Sequence, residues 1–315
     1  MLYNIVLASF KSIPMKKNYL IALLFLIGFH IQLSACDICG CGIGGTYFGI
    51  LPQYHKHFFG LNYTYQSFKS EHPMYDIEDN KYSSERFQTL EIRGRYHITK
   101  KVQLFVFAPL GFHEQIDHGL KSFVSGIGDV STIANVTLFN SGDSLNKTWK
   151  NNVQIGGGIK WPTGKYKELN AEQQLNPNLQ LGTGSTDIIL DFIHTIRHRK
   201  VGLNTNILYQ FNNVNSNHFK FGNKCSVNTN FFYWKTIQSY SLLPSIGIHY
   251  ENNQYNKHYK TVLNTSGGQS LQTSLGIDLY LRRVSIGVNT QVPIYQSNHL
   301  IDNNFKHNIH LLYNF

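Results

Sequence analysis

Charged side chains are scarce in this chain: they make up 15% of its 315 residues, against roughly 25% in an average soluble domain. The 18 acidic residues are outnumbered by 21 Phe alone, with 19 Tyr besides. Intrinsic disorder, which needs few aromatics and a high net charge, is excluded. Proline is sparse too, at 8 residues, and with only 26 glycines the composition excludes collagen-like sequence. Long apolar runs are missing save for one near the N-terminus, and mean hydropathy is −0.25. A bundle of membrane-spanning helices, each needing about 20 apolar residues, is therefore excluded. What remains is an all-β protein, in water or in a membrane.

The single apolar run reads as a leader. Lys16-Lys17 form a positive n-region, Tyr19 to Phe29 an apolar core, and Ser34-Ala35 offer small residues for cleavage, so residues 1–35 have the form of a secretory signal peptide, with Met15 an alternative start. The run is too short and wrongly flanked for a stable span. Its loss takes away Lys11, Lys16 and Lys17 and no acid, lowering the formal charge from +10 to +7. The tetrapeptide Leu33-Ser34-Ala35-Cys36 resembles the lipobox of bacterial lipoprotein precursors, which implies a lipidated Cys36.

Beyond a lead-in at residues 36–57, one theme repeats: ten to fourteen residues of alternating apolar and polar side chains, then a polar break. A period of two means strands. In 200–212, Val201, Leu203, Thr205, Ile207, Tyr209 and Phe211 share one face, and Gly202, Asn204, Asn206, Leu208 and Gln210 the other. The same split separates Val153, Ile155, Ile159 and Trp161 from Gln154 and Lys160, and Val284, Ile286, Val288 and Val292 from Ser285, Asn289 and Gln291. The segments fall near 58–68, 85–98, 101–110, 127–139, 152–162, 185–196, 200–212, 220–233, 238–250, 269–281, 283–293 and 304–315. The even count, about 12, suits a transmembrane antiparallel up-and-down β-barrel. Breaks alternate in length. Those at 99–100, 197–199, 234–237 and near Arg282 are tight, whereas 69–84, 111–126, 163–184, 251–268 and 294–303 are long; 140–151 is a middling turn and 213–219 a rather short loop. Short periplasmic turns, long extracellular loops and both termini in the periplasm of a bacterial outer membrane account for that parity. The last strand, with Phe305, Ile309, Leu311, Tyr313 and Phe315 on one face, looks like the signal read by the barrel-assembly machinery. Residues 58–315 are thus expected to form a single barrel facing outer-membrane lipid.

Face parity also predicts the lumen. Glu91, Arg93, Arg95, His97, Asp129, Lys160, Asp187 and Asp191 point inward as a balanced charge network, beside Phe105, Phe107, Ile133, Ile189 and Ile193. Structural satisfaction of buried charge is favoured for it over a substrate site. Cys225 falls with Phe221, Val227, Phe231 and Tyr233 on a lipid-facing side as a small hydrophobe.

Three short motifs carry a family likeness: Ser125-Gly126-Ile127-Gly128-Asp129-Val130, Lys160-Trp161-Pro162-Thr163-Gly164, and Leu181-Gly182-Thr183-Gly184-Ser185-Thr186-Asp187. In order and spacing across 58–315 they resemble landmarks of a family of outer-membrane transport barrels named after the meta-cleavage pathway of phenol degradation. The resemblance implies a barrel passing small, often hydrophobic molecules, with no catalytic residues to carry over. The Cys36-Asp37-Ile38-Cys39-Gly40-Cys41-Gly42 lead-in resembles a Bacteroidetes-type branch.

Cys36, Cys39 and Cys41, with His55 and His57 downstream, have spacing that suits Cu(I), or Zn(II) if an imidazole completes a tetrahedron. Lipidation of Cys36, or a disulfide in an oxidising periplasm, competes with that reading. No Gly-x-Ser-x-Gly or Ser/His/acid set announces an enzyme, and Lys and Arg are too scattered for nucleic-acid binding. The expected function is passive diffusion of a small, unidentified solute through a narrow lumen, with no cofactor required. A barrel-anchored metal-handling protein is the alternative, and an outer-membrane lipid hydrolase a distant third. Intact-mass analysis of the exported protein should find a chain beginning at Cys36; acyl mass on that residue would establish lipidation, and an unmodified Cys36 would exclude it.

Overall fold

The computed structural model describes residues 56–71, 82–117, 119–141, 148–166, 179–264, 266–297 and 301–315. Strands follow one another as β1 (Phe58–Glu71), β2 (Tyr82–His97), β3 (Val102–Asp117), β4 (Leu120–Ile127), β5 (Ser131–Asn140), β6 (Trp149–Lys160), β7 (Asp187–His198) and β8 (Val201–Phe211). They continue as β9 (Phe219–Lys220), β10 (Lys224–Tyr233), β11 (Lys235–Ile237), β12 (Tyr240–Asn253), β13 (Lys257–His258), β14 (Thr261–Val262), β15 (Gly268–Tyr280), β16 (Val284–Gln296) and β17 (Ile301–Asn314). Twelve of them, β1, β2, β3, β5, β6, β7, β8, β10, β12, β15, β16 and β17, pair in that order, each antiparallel to the next. Pairing of β17 back onto β1, from Phe58↔Asn314 to Ser70↔Ile301, closes the ring. The fold is a closed antiparallel barrel, as the alternating pattern predicts.

Closure follows from the side chains. Each strand carries an apolar face that must leave water and a polar face that must keep partners, and a ring satisfies both while leaving no open edge. On β8 the outward Val201, Leu203, Ile207 and Phe211 are exposed and the inward Asn204, Asn206, Leu208 and Gln210 are buried. Outward aliphatics such as Leu190, Ile246, Ile248, Leu275, Ile277 and Val288 form the middle of the band. Aromatics border it: Phe59, Tyr96, Trp149, Tyr233, Tyr313 and Phe315 near the short-turn end, and Phe112, Phe123, Trp161, Phe211, Tyr295 and Phe305 toward the other. Such girdles mark the two water interfaces of a transmembrane barrel.

The long-loop end departs from expectation. Residues 111–126, expected as a loop, form a β-hairpin in which β3 pairs with β4 through a turn where Gly119 takes φ 74. Only the first part of β3 pairs with β5. The alternation fades at His113, Glu114 and Gln115 because both faces are polar beyond the lipid band, yet the backbone still completes its ladder. For the same reason β12 runs on to Asn253, and β16 and β17 extend into the expected 294–303 loop. A small sheet of β9, β13 and β14 covers part of this end. The strand expected from residue 220 is interrupted: Phe221 is buried against Phe219 rather than facing lipid, and β10 begins at Lys224.

Ile248, 56% exposed on the outer face of the middle of β12, tests the assignment of that face. Ile248→Arg should destabilise the barrel in bilayers by about 2–4 kcal/mol, read as a shift in the guanidinium unfolding midpoint. The same substitution at exposed Tyr259, in the β13–β14 turn, should cost less than about 0.5 kcal/mol.

Candidate functional site in the barrel interior

Inward parity gives the lumen two unlike sides, one mixing an apolar cluster with buried Gln103, Asn135, Gln154, Asn204 and Asn206, the other largely polar. Phe105 and Phe107 on β3, Ile133 on β5, Ile189 on β7 and Leu208 on β8 form one apolar cluster, extended by Phe58 and Leu312 near the short-turn end. Half a turn of the ring away, β12, β15, β16 and β17 present buried His249, Glu251, Gln272, Asp278, Asn289, Gln291, Lys306, Asn308 and His310.

Ionisable groups inside are held in discrete sets. At the long-loop end, Lys160 Nζ lies 2.9 Å from Asp129 Oδ2 and 2.7 Å from Asp187 Oδ2, all three side chains being at most 1% exposed. Thr183 donates its backbone N–H to Asp129 Oδ2 at 2.8 Å and accepts from Lys160 Nζ at 2.6 Å. Gly164 N–H donates to Asp129 Oδ1 at 3.0 Å, Ser185 Oγ to Asp187 Oδ1 at 2.8 Å, and Thr163 Oγ1 to the Gly128 carbonyl at 2.8 Å. Gly164 and Gly182 stack so closely that a Cβ on Gly182 would stand 2.8 Å from the Gly164 carbonyl oxygen. The three glycine-bearing motifs therefore meet in one knot, which holds residues 179–186 inward: Leu179 and Leu181 are buried, and the Leu179 carbonyl lies 3.3 Å from His113 Nδ1.

Deeper in, Arg93 Nη2 meets Glu91 Oε1 at 2.6 Å, and Lys224 Nζ meets Glu251 Oε1 at 2.9 Å, with His249 Nε2 3.4 Å from Glu251 Oε2. Lys306 lies within the fields of both Glu91 and Glu251. Asp191 accepts from Asn135 at 2.5 Å and Asn206 at 2.7 Å. Glu85 accepts from Ser83, Ser70 and Gln115, and His310 faces Asp278 at 3.1 Å.

Of the residues assigned to the lumen by sequence, Glu91, Arg93, Arg95, Asp129, Lys160, Asp187 and Asp191 are buried there and His97 is half-buried. They do not form one network. Asp129, Lys160 and Asp187 are the knot, Glu91 and Arg93 pair two residues apart, and Arg95 donates to the Lys56 carbonyl at 3.0 and 2.7 Å. Lys224, His249, Glu251, Asp278, Lys306 and His310 were missed, although the parity that puts Val227 outward on β10 also puts Lys224 inward. Cys36, Cys39, Cys41 and His55 lie outside the described residues. His57 stacks on Tyr96 and Phe315 and accepts the His97 backbone N–H at its Nδ1, 3.0 Å away. Cys225 is a free, partly exposed thiol on the outer face of β10.

Solved structures share this architecture. The COG4313 outer membrane channel from Pseudomonas putida F1 superposes with a TM-score of 0.59 at 15% identity, over 82% of this chain and 96% of that one. The fold is that of an outer-membrane β-barrel. The NanC porin, with 6% identity and a TM-score of 0.41 over 80% of this chain and 98% of its own, is more remote. So is outer membrane phospholipase A from Escherichia coli, with 12% identity and a TM-score of 0.36 over 88% and 98%. No protein-family model matches the sequence, and no curated protein does.

The knot has a measurable signature. Lys160→Met leaves two buried carboxylates facing each other and should cost about 3–5 kcal/mol of barrel stability. Adding Asp129→Asn and Asp187→Asn to it should recover most of that loss, both read from denaturant unfolding.

Proposed function

We propose that this chain is an outer-membrane channel, its short turns and both termini on the periplasmic side, that passes small solutes by passive diffusion. One observation supports the reading: the interior holds its charges in ion pairs or by hydrogen bonds to neutral groups and otherwise offers an apolar cluster opposite a largely polar side, which suits the lining of a conduit rather than a reaction centre. The apolar cluster around Phe105 and Phe107 suits solutes with a hydrophobic part, in keeping with the family resemblance carried by the three motifs.

A hydrolase reading has less support. On the outer face Thr290 Oγ1 and His307 Nδ1 lie 3.1 Å apart, but among the described residues no acid or amide orients the other ring nitrogen, and a hydroxyl nucleophile needs a base that is itself oriented. Metal handling by Cys36, Cys39 and Cys41 remains the competing role for the lead-in, with Cu(I) or Zn(II) as its cargo.

Purified full-length protein in planar bilayers should give small, discrete conductance steps. No conductance, together with tight Cu(I) binding that is lost in Cys39→Ser/Cys41→Ser, would replace the channel by the metal-handling protein.

A further inference from the structure

Six buried polar atoms without partners fall along one strip of the polar wall. His249 Nδ1, Gln272 Oε1, Gln291 Oε1, both amide atoms of Asn289 and Asn308 Nδ2 are all unpaired. Their residues are 5% exposed or less. They are also neighbours. His249 stands opposite Gln272 in the β12–β15 ladder, Gln291 opposite Ser274 in β15–β16, and Asn289 opposite Asn308 in β16–β17. The strip thus crosses four strands diagonally. Across the lumen, Gln103 Oε1, Asn135 Oδ1 and Asn152 Nδ2 are unpaired too, but each of these residues keeps one side-chain partner, in Gln154, Asp191 and Gln154 respectively. Asn289 has none.

A buried donor or acceptor without a protein partner is costly, and a run of them on adjacent strands is stable only if water or another molecule that forms hydrogen bonds reaches it. The atoms alternate in kind: carbonyl oxygens of Gln272, Gln291 and Asn289 that accept, and amide groups of Asn289 and Asn308 that donate. The charges flanking the strip are of both signs, Lys224 with Glu251, His310 with Asp278, and Lys306, opposite Gln291 in the β16–β17 ladder, in the fields of Glu91 and Glu251, so an ion of either sign would meet repulsion as well as attraction. We infer that the strip is the permeation track, and that it selects uncharged solutes bearing hydroxyl or amide groups, whose apolar part lies against Phe105, Phe107 and Ile133. The inference rests on the channel reading and adds the route and the solute class.

Osmotic swelling of proteoliposomes holding the full-length chain tests it, with arabinose as the uncharged probe and gluconate as an ion of similar size. Wild type should admit arabinose faster than gluconate. Asn289→Leu/Gln291→Leu, near-isosteric and unable to hydrogen-bond, should slow arabinose about tenfold, whereas Gln103→Leu/Asn152→Leu on the opposite side should change it less than about twofold. Heat-modifiable migration reports folding of each variant. Should the leucine pair fail to fold, Asn289→Cys treated with a methanethiosulfonate reagent should lose most of its arabinose flux, with identically treated wild type as baseline. An open wild-type barrel whose flux ignores both changes, or one that falls equally with the opposite-side pair, overturns the track. A wild-type barrel admitting neither probe overturns the channel reading and the track with it.

Discussion

Hydrocarbon offers no hydrogen bonds, so every backbone N–H and C=O within the lipid band must find its partner in the protein. For a chain of strands the only complete solution is a ring, and here the seam between β1 and β17 is its last stitch. Twelve register pairs span it, and at the short-turn end Phe315 N–H donates to the His57 carbonyl at 3.1 Å. The seam explains why the last strand is among the most regular in its alternation. A slip of one residue would turn Leu311 and Tyr313 inward and expose Asn308, His310 and Lys306 to lipid.

Closing the ring turns a polar face inward, where most of its side chains are buried. Buried charges then persist only in pairs or with several hydrogen-bond partners. The knot is the clearest instance: one lysine serves two aspartates, and the residual negative charge is absorbed by the backbone N–H groups of Gly164, Thr183 and Asn213 and by the hydroxyl of Ser185. Glycine matters there because a Cβ at Gly164 or Gly182 would push the two loops apart and take those donors with them. Motifs that in the sequence carry only a family likeness form a clamp that keeps residues 179–186 folded into the mouth.

Strand number, facing and closure were legible because period two is written into each strand separately. The inward assignments at Lys160, Asp187 and Asp191 needed no more than that. What parity cannot supply is which inward residues meet across the lumen, since this depends on register around the whole ring. Lys306 illustrates the limit: its carboxylate neighbours Glu91 and Glu251 lie on β2 and β12, both more than fifty residues earlier in the chain. The extension of β3 and β4 was hidden for a different reason. Past the lipid band no apolar face is required, so a strand can continue on backbone hydrogen bonding alone, with no pattern to announce it.

The basic excess of the chain now has a place. Among the described residues the lumen buries seven carboxylates, Glu85, Glu91, Asp129, Asp187, Asp191, Glu251 and Asp278, against five cations, Arg93, Arg95, Lys160, Lys224 and Lys306. The positive excess therefore does not lie in the lumen. It sits on the turns instead: Lys100, Lys101, Arg199, Lys200, Lys235, Arg282 and Arg283 are all exposed at the short-turn end, and the described turns there carry no acid. Exposed cations beside an aromatic girdle lie at the depth of lipid phosphates, where they fix the height of the barrel rather than the choice of solute. A lumen slightly negative overall, its charges held in ion pairs or by neutral hydrogen-bonding groups, supports the proposal that hydrogen bonding and apolar contact select the solute.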